Sequence, residues 1–149
     1  MFGCEPFDYP HPYTLSLGVA EGHIDGLQHA NNAVYVQWCE QVAWAHSEHL
    51  GLGLAEYRAL DRAMAIRQAN YDYLVPALLG DRLTLATWLT ASDARLNMTR
   101  QFQLLRGSET LMRGQWQLVC IDMNSGKPRR MPAAFLDAYQ PAVVEVSHE

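Results

Sequence analysis

The chain has 149 residues, of which 49% are hydrophobic and 18% charged, and its formal net charge is -5 at pH 7. The length predicts a single domain, residues 1–149, with one sizeable core, and the negative charge argues against a nucleic-acid-binding surface. We expect a cytoplasmic protein without membrane contact, because the sequence shows neither a signal peptide nor an apolar run long enough to span a bilayer. Cys4, Cys39 and Cys120 lack metal-ligand spacing and are expected to be reduced thiols.

The N-terminal part of the chain is predicted to contain an irregular arm, one strand and a polar loop. Residues 1–12 include three prolines, which cannot donate to a strand ladder. Residues 13–19 alternate between apolar and polar side chains, which indicates a half-buried strand. The polar loop at residues 23–32 contains a single acid, Asp25, and leads directly into a helical pattern.

A helix is predicted from Ala33 to Leu50. Its apolar residues recur at helical spacing and cover so much of the circumference that we expect one long, buried helix. Asn31 or Asn32 can cap its first turn through a side-chain oxygen, and Gly51 can end it.

The pattern changes to that of strands after this helix. A short helical turn is expected at 54–60, and Pro132 is expected to open a short C-terminal helix through Tyr139. Alternating side chains bounded by turn residues predict four consecutive antiparallel strands between them, at 63–74, 82–90, 97–106 and 110–122. The order strand, helix and four strands predicts an α+β layer structure.

Two motifs lie in the loop before the helix and in the turn after the first of these four strands. The first fits Asp-x-x-Gly-His-x-Asn-Asn-x-x-Tyr, and the second, residues 71–81, combines a strand, a Pro-containing turn and Gly-Asp. In this order and spacing they resemble the signatures of acyl-CoA thioesterases of the 4-hydroxybenzoyl-CoA thioesterase type, over roughly residues 13 to 139. The residues that fit the first motif are Asp25, His29, Asn31, Asn32 and Tyr35.

The resemblance implies a hotdog fold, in which a curved antiparallel sheet of about five strands wraps around one long central helix. It also implies hydrolysis of an acyl-thioester, carried by CoA or by an acyl-carrier protein, to a carboxylic acid and the free thiol. No metal or other cofactor is implied, since CoA is part of the substrate. The family resemblance further implies a homodimer or homotetramer with active sites at the subunit interface.

Asp25 is the principal catalytic candidate. A carboxylate can act as a general base on water or attack the thioester carbonyl directly, and the resemblance implies one of these roles for the matching Asp. The alternative is a structural role, because Asp is common in turns before helices.

Stabilisation of the oxyanion requires donors at the position where negative charge develops. Backbone N–H groups at a helix N-terminus can supply them, and by position the N–H of Asn32 is the candidate, with Asn31 or Ala33 as neighbours. The sequence departs from the family at the Gly three residues after the Asp, which is Gln28 here. This departure predicts either a different loop path or an additional side-chain donor from Gln28.

Three other residues of the first motif have both a functional and a structural interpretation. His29 could orient Asp25 or contact the substrate, or it could fix the turn through hydrogen bonds to backbone. Asn31 could contact the substrate or cap the helix, and Tyr35 could contact the substrate, although packing is favoured for it.

Glu40 is a possible second acid, since some thioesterases of this fold use a helix Glu. If buried, Glu40 needs a partner such as Arg67, and a structural or interface role is favoured for it. His46 and His49 lie three residues apart on the predicted helix, but no third ligand accompanies them, so no metal site is expected.

The only basic cluster of the chain is the segment Lys127-Pro128-Arg129-Arg130. Arg side chains recognise phosphate through paired N–H donors, so Lys127, Arg129 and Arg130 are candidates for binding the phosphates of CoA; a solvated turn is the alternative. An acyl pocket could be shaped by the aromatic and Met residues Trp38, Trp88, Met98, Phe102 and Trp116, which core packing also explains.

Two rival functions remain open at this point. One is a different acyl-thioester enzyme of the same fold, such as a dehydratase. The other is a non-catalytic module that binds an acyl-thioester or a protein, which the altered Gln28 favours.

Overall fold

The computed structural model describes residues 6–146, in which five strands form one antiparallel sheet of order β1-β3-β4-β5-β2. The chain order matches the prediction, and the elements agree with the predicted bounds to within two residues, apart from two short 3-10 turns that were not predicted. Cys4 and residues 1–5 of the predicted arm lie outside the described part. The elements are β1 (Tyr13–Gly18), α1 (Asn32–His49), α2 (Leu54–Leu60), β2 (Arg62–Tyr73), β3 (Arg82–Ser92), β4 (Asn97–Arg106), β5 (Glu109–Asp122) and α3 (Ala133–Tyr139).

Helix α1 packs on one face of the curved sheet. Its 18 residues span roughly 27 Å. The predicted central helix is therefore present, but its length is ordinary rather than long. Its burial is also one-sided, because Glu40 and Trp44 lie on an exposed face, with Trp44 40% exposed. The prediction that the helix is buried around most of its circumference was therefore wrong for the single chain. The buried face consists of Val34, Tyr35, Trp38, Cys39, Val42, Ala43, His46 and Ser47.

Strand β3 is buried on both faces, as predicted from its two apolar sets. The face opposite α1 is covered by residues 6–12, which are irregular as expected but closely packed. The rings of Phe7 and Tyr9 meet Trp88 edge-on, with ring centroids 6.4 and 5.1 Å from that of the indole. Asp8 forms an ion pair with Arg113, with 2.7 Å between Oδ2 and Nε.

Strands β1 and β2 are the two edges of the sheet. β1 has 6 residues and β2 has 12, so β2 presents the longer row of unpaired backbone groups. Ile66 and Tyr73 on β2 are 44% and 43% exposed. A long edge strand with exposed apolar side chains is a surface that proteins usually cover.

Candidate active site

The loop before α1 holds the Asp25 carboxylate in place through its own backbone. Oδ1 of Asp25 accepts hydrogen bonds from the N–H groups of Leu27 and His29, at 2.8 and 3.2 Å. The N–H of Asp25 donates to the carbonyl of His29 at 2.8 Å, which closes the loop. The second carboxylate oxygen, Oδ2, makes no hydrogen bond within residues 6–146, so one oxygen of Asp25 is used for structure and the other is available.

Gln28 occupies a left-handed backbone conformation in this loop, with φ of 67°. Glycine adopts this conformation without steric cost, which explains why Gly is the usual residue at this position of the motif. The Gln28 side chain is exposed and makes no hydrogen bond within the described range. The expected additional donor is therefore not seen at this site.

The two sequence motifs meet through one backbone–backbone and one backbone–side-chain hydrogen bond. Ala30 N–H donates to the carbonyl of Ala77 at 2.8 Å, and Ala77 N–H donates to the hydroxyl of Tyr35 at 3.0 Å. Tyr35 is 3% exposed, so its hydroxyl joins helix α1 to the turn after β2. Gly80 completes this turn with a φ of 87°, a conformation that favours glycine.

The N-terminus of α1 presents one unbonded N–H group. Asn31 is the cap, and its Oδ1 accepts from Ala33 N–H at 3.0 Å. The N–H of Asn31 itself donates to the carbonyl of His23 at 2.8 Å, and Val34 N–H donates to the carbonyl of Asn31 at 2.9 Å. Of the three oxyanion candidates, only the N–H of Asn32 lacks a hydrogen bond among the described residues.

A cavity of about 330 Å³ lies between this helix N-terminus and the turn after β2. It brings together four of the predicted site residues, whereas Gln28, Asn31, Glu40 and the basic cluster lie outside it. Sequence reasoning missed Tyr73, whose ring centroid lies 5.2 Å from that of Tyr35. The cavity is lined by Asp25, His29, Ala30, Asn32, Tyr35, Tyr73, Leu74, Val75 and Pro76.

A second cavity, of about 290 Å³, lies beside α1 towards its C-terminal end. Glu40 borders it but is exposed, and it forms no ion pair with Arg67 or with any other described residue, which an exposed carboxylate does not require. Of the five residues suggested for an acyl pocket, Met98 and Trp116 line this cavity, while the other three are buried elsewhere. The lining residues are Glu40, Ala43, Trp44, Ser47, Tyr57, Met64, Ile66, Met98, Arg100, Trp116, Leu118 and Tyr139.

His46 is bonded to Arg100, a lining residue of this second cavity. Its Nδ1 accepts from Nη1 of Arg100 at 2.9 Å. Burial, the Arg100 charge and His49 together lower the pKa of His46 to about 3, so the imidazole is neutral. No group of three His, Cys, Asp or Glu side chains arranged for a metal ion occurs within residues 6–146.

The basic cluster lies far from Asp25 within one chain. Lys127, Arg129 and Arg130 are exposed, and Arg129 forms an ion pair with Asp122 at 2.9 Å. In the register of the sheet, Asp122 on β5 lies opposite Arg62, the first residue of β2. Tyr73, which lines the Asp25 cavity, is the last residue of the same strand. A strand of this length extends roughly 36 Å, at about 3.3 Å per residue.

The five-stranded antiparallel sheet and the helix packed on it match the fold of solved hotdog thioesterases. The chain matches the sequence model of the Thioesterase-like superfamily over residues 19–139. It belongs to that family and is a thioester hydrolase, which confirms the resemblance found in the two motifs. No helix within residues 6–146 is long and apolar enough to cross a membrane.

Several relatives and solved structures are similar to this chain. A 1,4-dihydroxy-2-naphthoyl-CoA hydrolase of Synechocystis sp. is 28% identical over 117 residues, which are 76% of this chain and 81% of the relative. A long-chain acyl-CoA thioesterase of Escherichia coli is 27% identical over 106 residues, 70% of this chain and 80% of the relative. A Staphylococcus aureus protein solved in complex with CoA superposes with a TM-score of 0.82 at 17% identity, covering 93% of this chain and 90% of that one.

Proposed function

We propose that this protein hydrolyses acyl-CoA thioesters to a carboxylic acid and free CoA in the cavity beside Asp25. The observation that carries the proposal is that Asp25 and Asn32 line one cavity and that each retains an unbonded group, Oδ2 and the backbone N–H. Both other candidate N–H groups, those of Asn31 and Ala33, and the other carboxylate oxygen of Asp25, Oδ1, are already bonded. The relatives named for activity on CoA thioesters support the same carrier.

The proposed reaction uses the two groups in complementary roles. The N–H of Asn32 binds the thioester carbonyl oxygen, and the positive end of the helix dipole stabilises the charge that develops on it. Asp25 either removes a proton from the attacking water or attacks the carbonyl carbon itself to give an anhydride that water then cleaves. The C–S bond breaks with its electron pair on sulfur, and CoA leaves as the thiolate.

The remaining cavity residues would position the substrate. The His29 imidazole makes no hydrogen bond within residues 6–146 and borders the cavity, so we assign it to substrate contact. Tyr35 and Asn31 act through structure, since the Tyr35 hydroxyl and the Asn31 side chain are both bonded to backbone. Glu40 lies outside this cavity and has no proposed catalytic role.

We also propose that two copies pair through their β2 edges to complete the site. A two-fold axis makes such pairing antiparallel, and it places the start of one β2 beside the end of the other. The basic cluster of one copy, next to Arg62, then lies near the Asp25 cavity of the second copy, next to Tyr73. In this arrangement Lys127 and Arg130 bind CoA phosphates, with Arg129 held by Asp122; a tetramer would combine two such pairs.

The first experiment measures free CoA released from short, medium, long and aryl acyl-CoAs by the wild type and by Asp25→Asn. We expect turnover to fall by about 10²-fold or more in the variant, with CoA binding retained. Asp137→Asn, which removes an exposed acid on α3, is the matched control and should behave as wild type. Full activity in Asp25→Asn would exclude Asp25 from the chemistry, and a wild type that binds acyl-CoA without turnover would favour the non-catalytic module.

A second experiment examines the carrier and the assembly. Lys127→Gln combined with Arg130→Gln should raise KM for acyl-CoA but not for the matching acyl-pantetheine, which lacks the nucleotide phosphates. An equal effect on both substrates would contradict the phosphate role, and a preference for the acyl-carrier protein ester would reassign the carrier. Sedimentation equilibrium of the wild type distinguishes monomer, dimer and tetramer.

A further inference from the structure

The second cavity contains a buried cation with unused donors. Arg100 lies on β4, faces α1 and is 3% exposed. Its Nη1 donates to Nδ1 of His46 at 2.9 Å and to Oγ1 of Thr87 at 3.1 Å. Nε and Nη2 make no hydrogen bond within residues 6–146, and no carboxylate in that range forms an ion pair with Arg100.

The guanidinium is charged although its protein partners are neutral. Burial lowers the pKa of Arg100 to about 10, which leaves it protonated at neutral pH, while His46 remains neutral. A buried charge without a counter-charge destabilises a protein by several kcal/mol unless something compensates it. An anion that enters the cavity would supply that compensation.

The hydroxyl groups of the cavity cannot provide donors to a ligand, because their protons are already committed. The Ser47 hydroxyl donates to the carbonyl of Leu52, so in the next contact Tyr139 donates to Ser47. The Tyr57 hydroxyl then donates to Tyr139. Arg100 is therefore the charged donor that the second cavity presents, and the ligand group that it binds must accept hydrogen bonds.

Apart from the exposed Glu40 carboxylate, Trp44 and the committed hydroxyl groups, the wall is apolar, and its size limits the ligand. Met64, Ile66, Met98, Trp116 and Leu118 surround the space in front of Arg100. At roughly 30 Å³ per water-sized atom, a cavity of about 290 Å³ holds about ten non-hydrogen atoms. The matching ligand is a short chain with an apolar middle and an anionic end.

The place of the cavity in the proposed pair connects it to catalysis. Within one chain, His46 lies fourteen residues along α1 from Asn32, or roughly 21 Å, which is too far for a short acyl group. Met64 and Ile66, however, belong to the first half of β2, which antiparallel pairing brings beside the end of the second copy's β2. The cavity of one copy can then receive an acyl group whose thioester lies at the Asp25 of the other.

We propose that Arg100 selects acyl thioesters whose acyl group ends in a carboxylate, namely the half-thioesters of short dicarboxylic acids. The carboxylate accepts hydrogen bonds from Nε and Nη2 of Arg100, the methylene groups contact the apolar wall, and the thioester reaches the loop acid. This selection adds a substrate class to the proposed function, and it depends on that function for the hydrolysis itself.

The test compares adipoyl-CoA with hexanoyl-CoA, two six-carbon thioesters that differ in the distal carboxylate. We choose adipoyl-CoA as the test substrate because the shorter succinyl and glutaryl thioesters cyclise spontaneously to anhydrides, which would raise the uncatalysed background. We expect the wild type to favour adipoyl-CoA in kcat/KM by at least tenfold, because its carboxylate accepts hydrogen bonds from a charged donor. Arg100→Met should abolish the preference by lowering kcat/KM for adipoyl-CoA while leaving hexanoyl-CoA within about twofold.

The controls separate the proposed selection by Arg100 from the proposed hydrolysis at Asp25. Arg95→Met removes an exposed arginine and should leave the ratio unchanged. Equal wild-type kcat/KM values for the two esters would overturn the carboxylate assignment whether or not Arg100→Met folds, and a preference for a hydroxyaryl ester that depends on Arg100 would also overturn it. If neither ester is hydrolysed, calorimetry with adipate and hexanoate decides on Arg100, since adipate alone should bind and only to the wild type. The wider panel of acyl-CoAs decides separately on the proposed function.

Discussion

The two ends of helix α1 carry polar sites that are built in opposite ways. At the N-terminus, a half-buried acid is held by N–H groups two and four residues away in its own loop. Towards the C-terminal end, a buried cation is held by side chains 54 and 13 residues away, on α1 and on β3. The acid of the first site needs only a closed loop to hold it, whereas the Arg100 site forms only when the helix has docked on the sheet.

This difference predicts which property each site controls. Backbone donors do not titrate and cannot be removed by most substitutions. Substitutions at the N-terminal site should therefore change the catalytic rate much more than the stability of the protein. The Arg100 site consists of side chains in a low-dielectric interior, so its perturbation should change stability, pH dependence and selectivity.

The largest effect is expected from Asn32→Pro, which removes the proposed oxyanion donor without removing the helix. Asn32 is the first residue of α1, and Asn31 before it has an extended backbone with ψ of 139°; both conditions suit proline. We expect kcat to fall by about 10²–10³-fold, measured as CoA release. Asn32→Ala retains the N–H and should stay near wild type, so equal losses in the two variants would assign the effect to the side chain.

The next effect concerns the pH dependence of stability at the Arg100 site. The pKa of His46 is lowered to about 3 by burial, then by Arg100 and His49, whereas a His in the unfolded chain titrates near 6.5. The unfolded state therefore binds the proton first, so this stability is present above about pH 6.5 and is lost as pH falls towards 3.

His46→Gln removes this titration and keeps an oxygen that can accept from Arg100. We expect the pH slope of the unfolding free energy between pH 6 and 4 to decrease by up to about 1.4 kcal/mol per pH unit, measured by urea denaturation. The control Glu48→Asn changes an exposed residue, and its slope in that interval should be much closer to the wild-type slope than that of His46→Gln. An unchanged slope in His46→Gln would mean that His46 is not the buried neutral group described above.

A smaller effect is expected from Tyr35→Phe, which tests whether the first site also depends on one distant contact. The variant leaves the N–H of Ala77 without its acceptor in the interior, at a cost of about 1–2 kcal/mol. Thermal denaturation measures this cost, with Tyr73→Phe as the control because no described hydrogen bond involves the Tyr73 hydroxyl. A variant as stable as wild type would mean that the contact does not hold the turn in solution.

These contrasts also explain what could be predicted from the sequence. The alternation over residues 97–106 is a local signal, and it predicted the bounds of β4 correctly. The loop acid and the helix N-terminus are seven residues apart, so their proximity could be expected from spacing. The place of Tyr73 beside Tyr35 depends on strand register and helix docking, which no local pattern encodes. For Arg100 a signal did exist: it is a charge in the middle of an apolar strand face, between Met98 and Phe102.

The smallest effect is expected from Gln28→Gly, and it examines the one departure from the family motif. A non-glycine residue in the left-handed region costs about 1–2 kcal/mol, while glycine adds about 0.4–1 kcal/mol of unfolded-state entropy. We therefore expect a net stabilisation of about 0.5 kcal/mol in thermal denaturation, with kcat within about twofold of wild type because the Gln28 side chain lies outside the cavity. Leu27→Gly is the control: Leu27 is 73% exposed and its φ is not positive, so glycine should only destabilise there. A large loss of kcat in Gln28→Gly with Leu27→Gly unaffected would show that the Gln28 amide contacts the substrate after all.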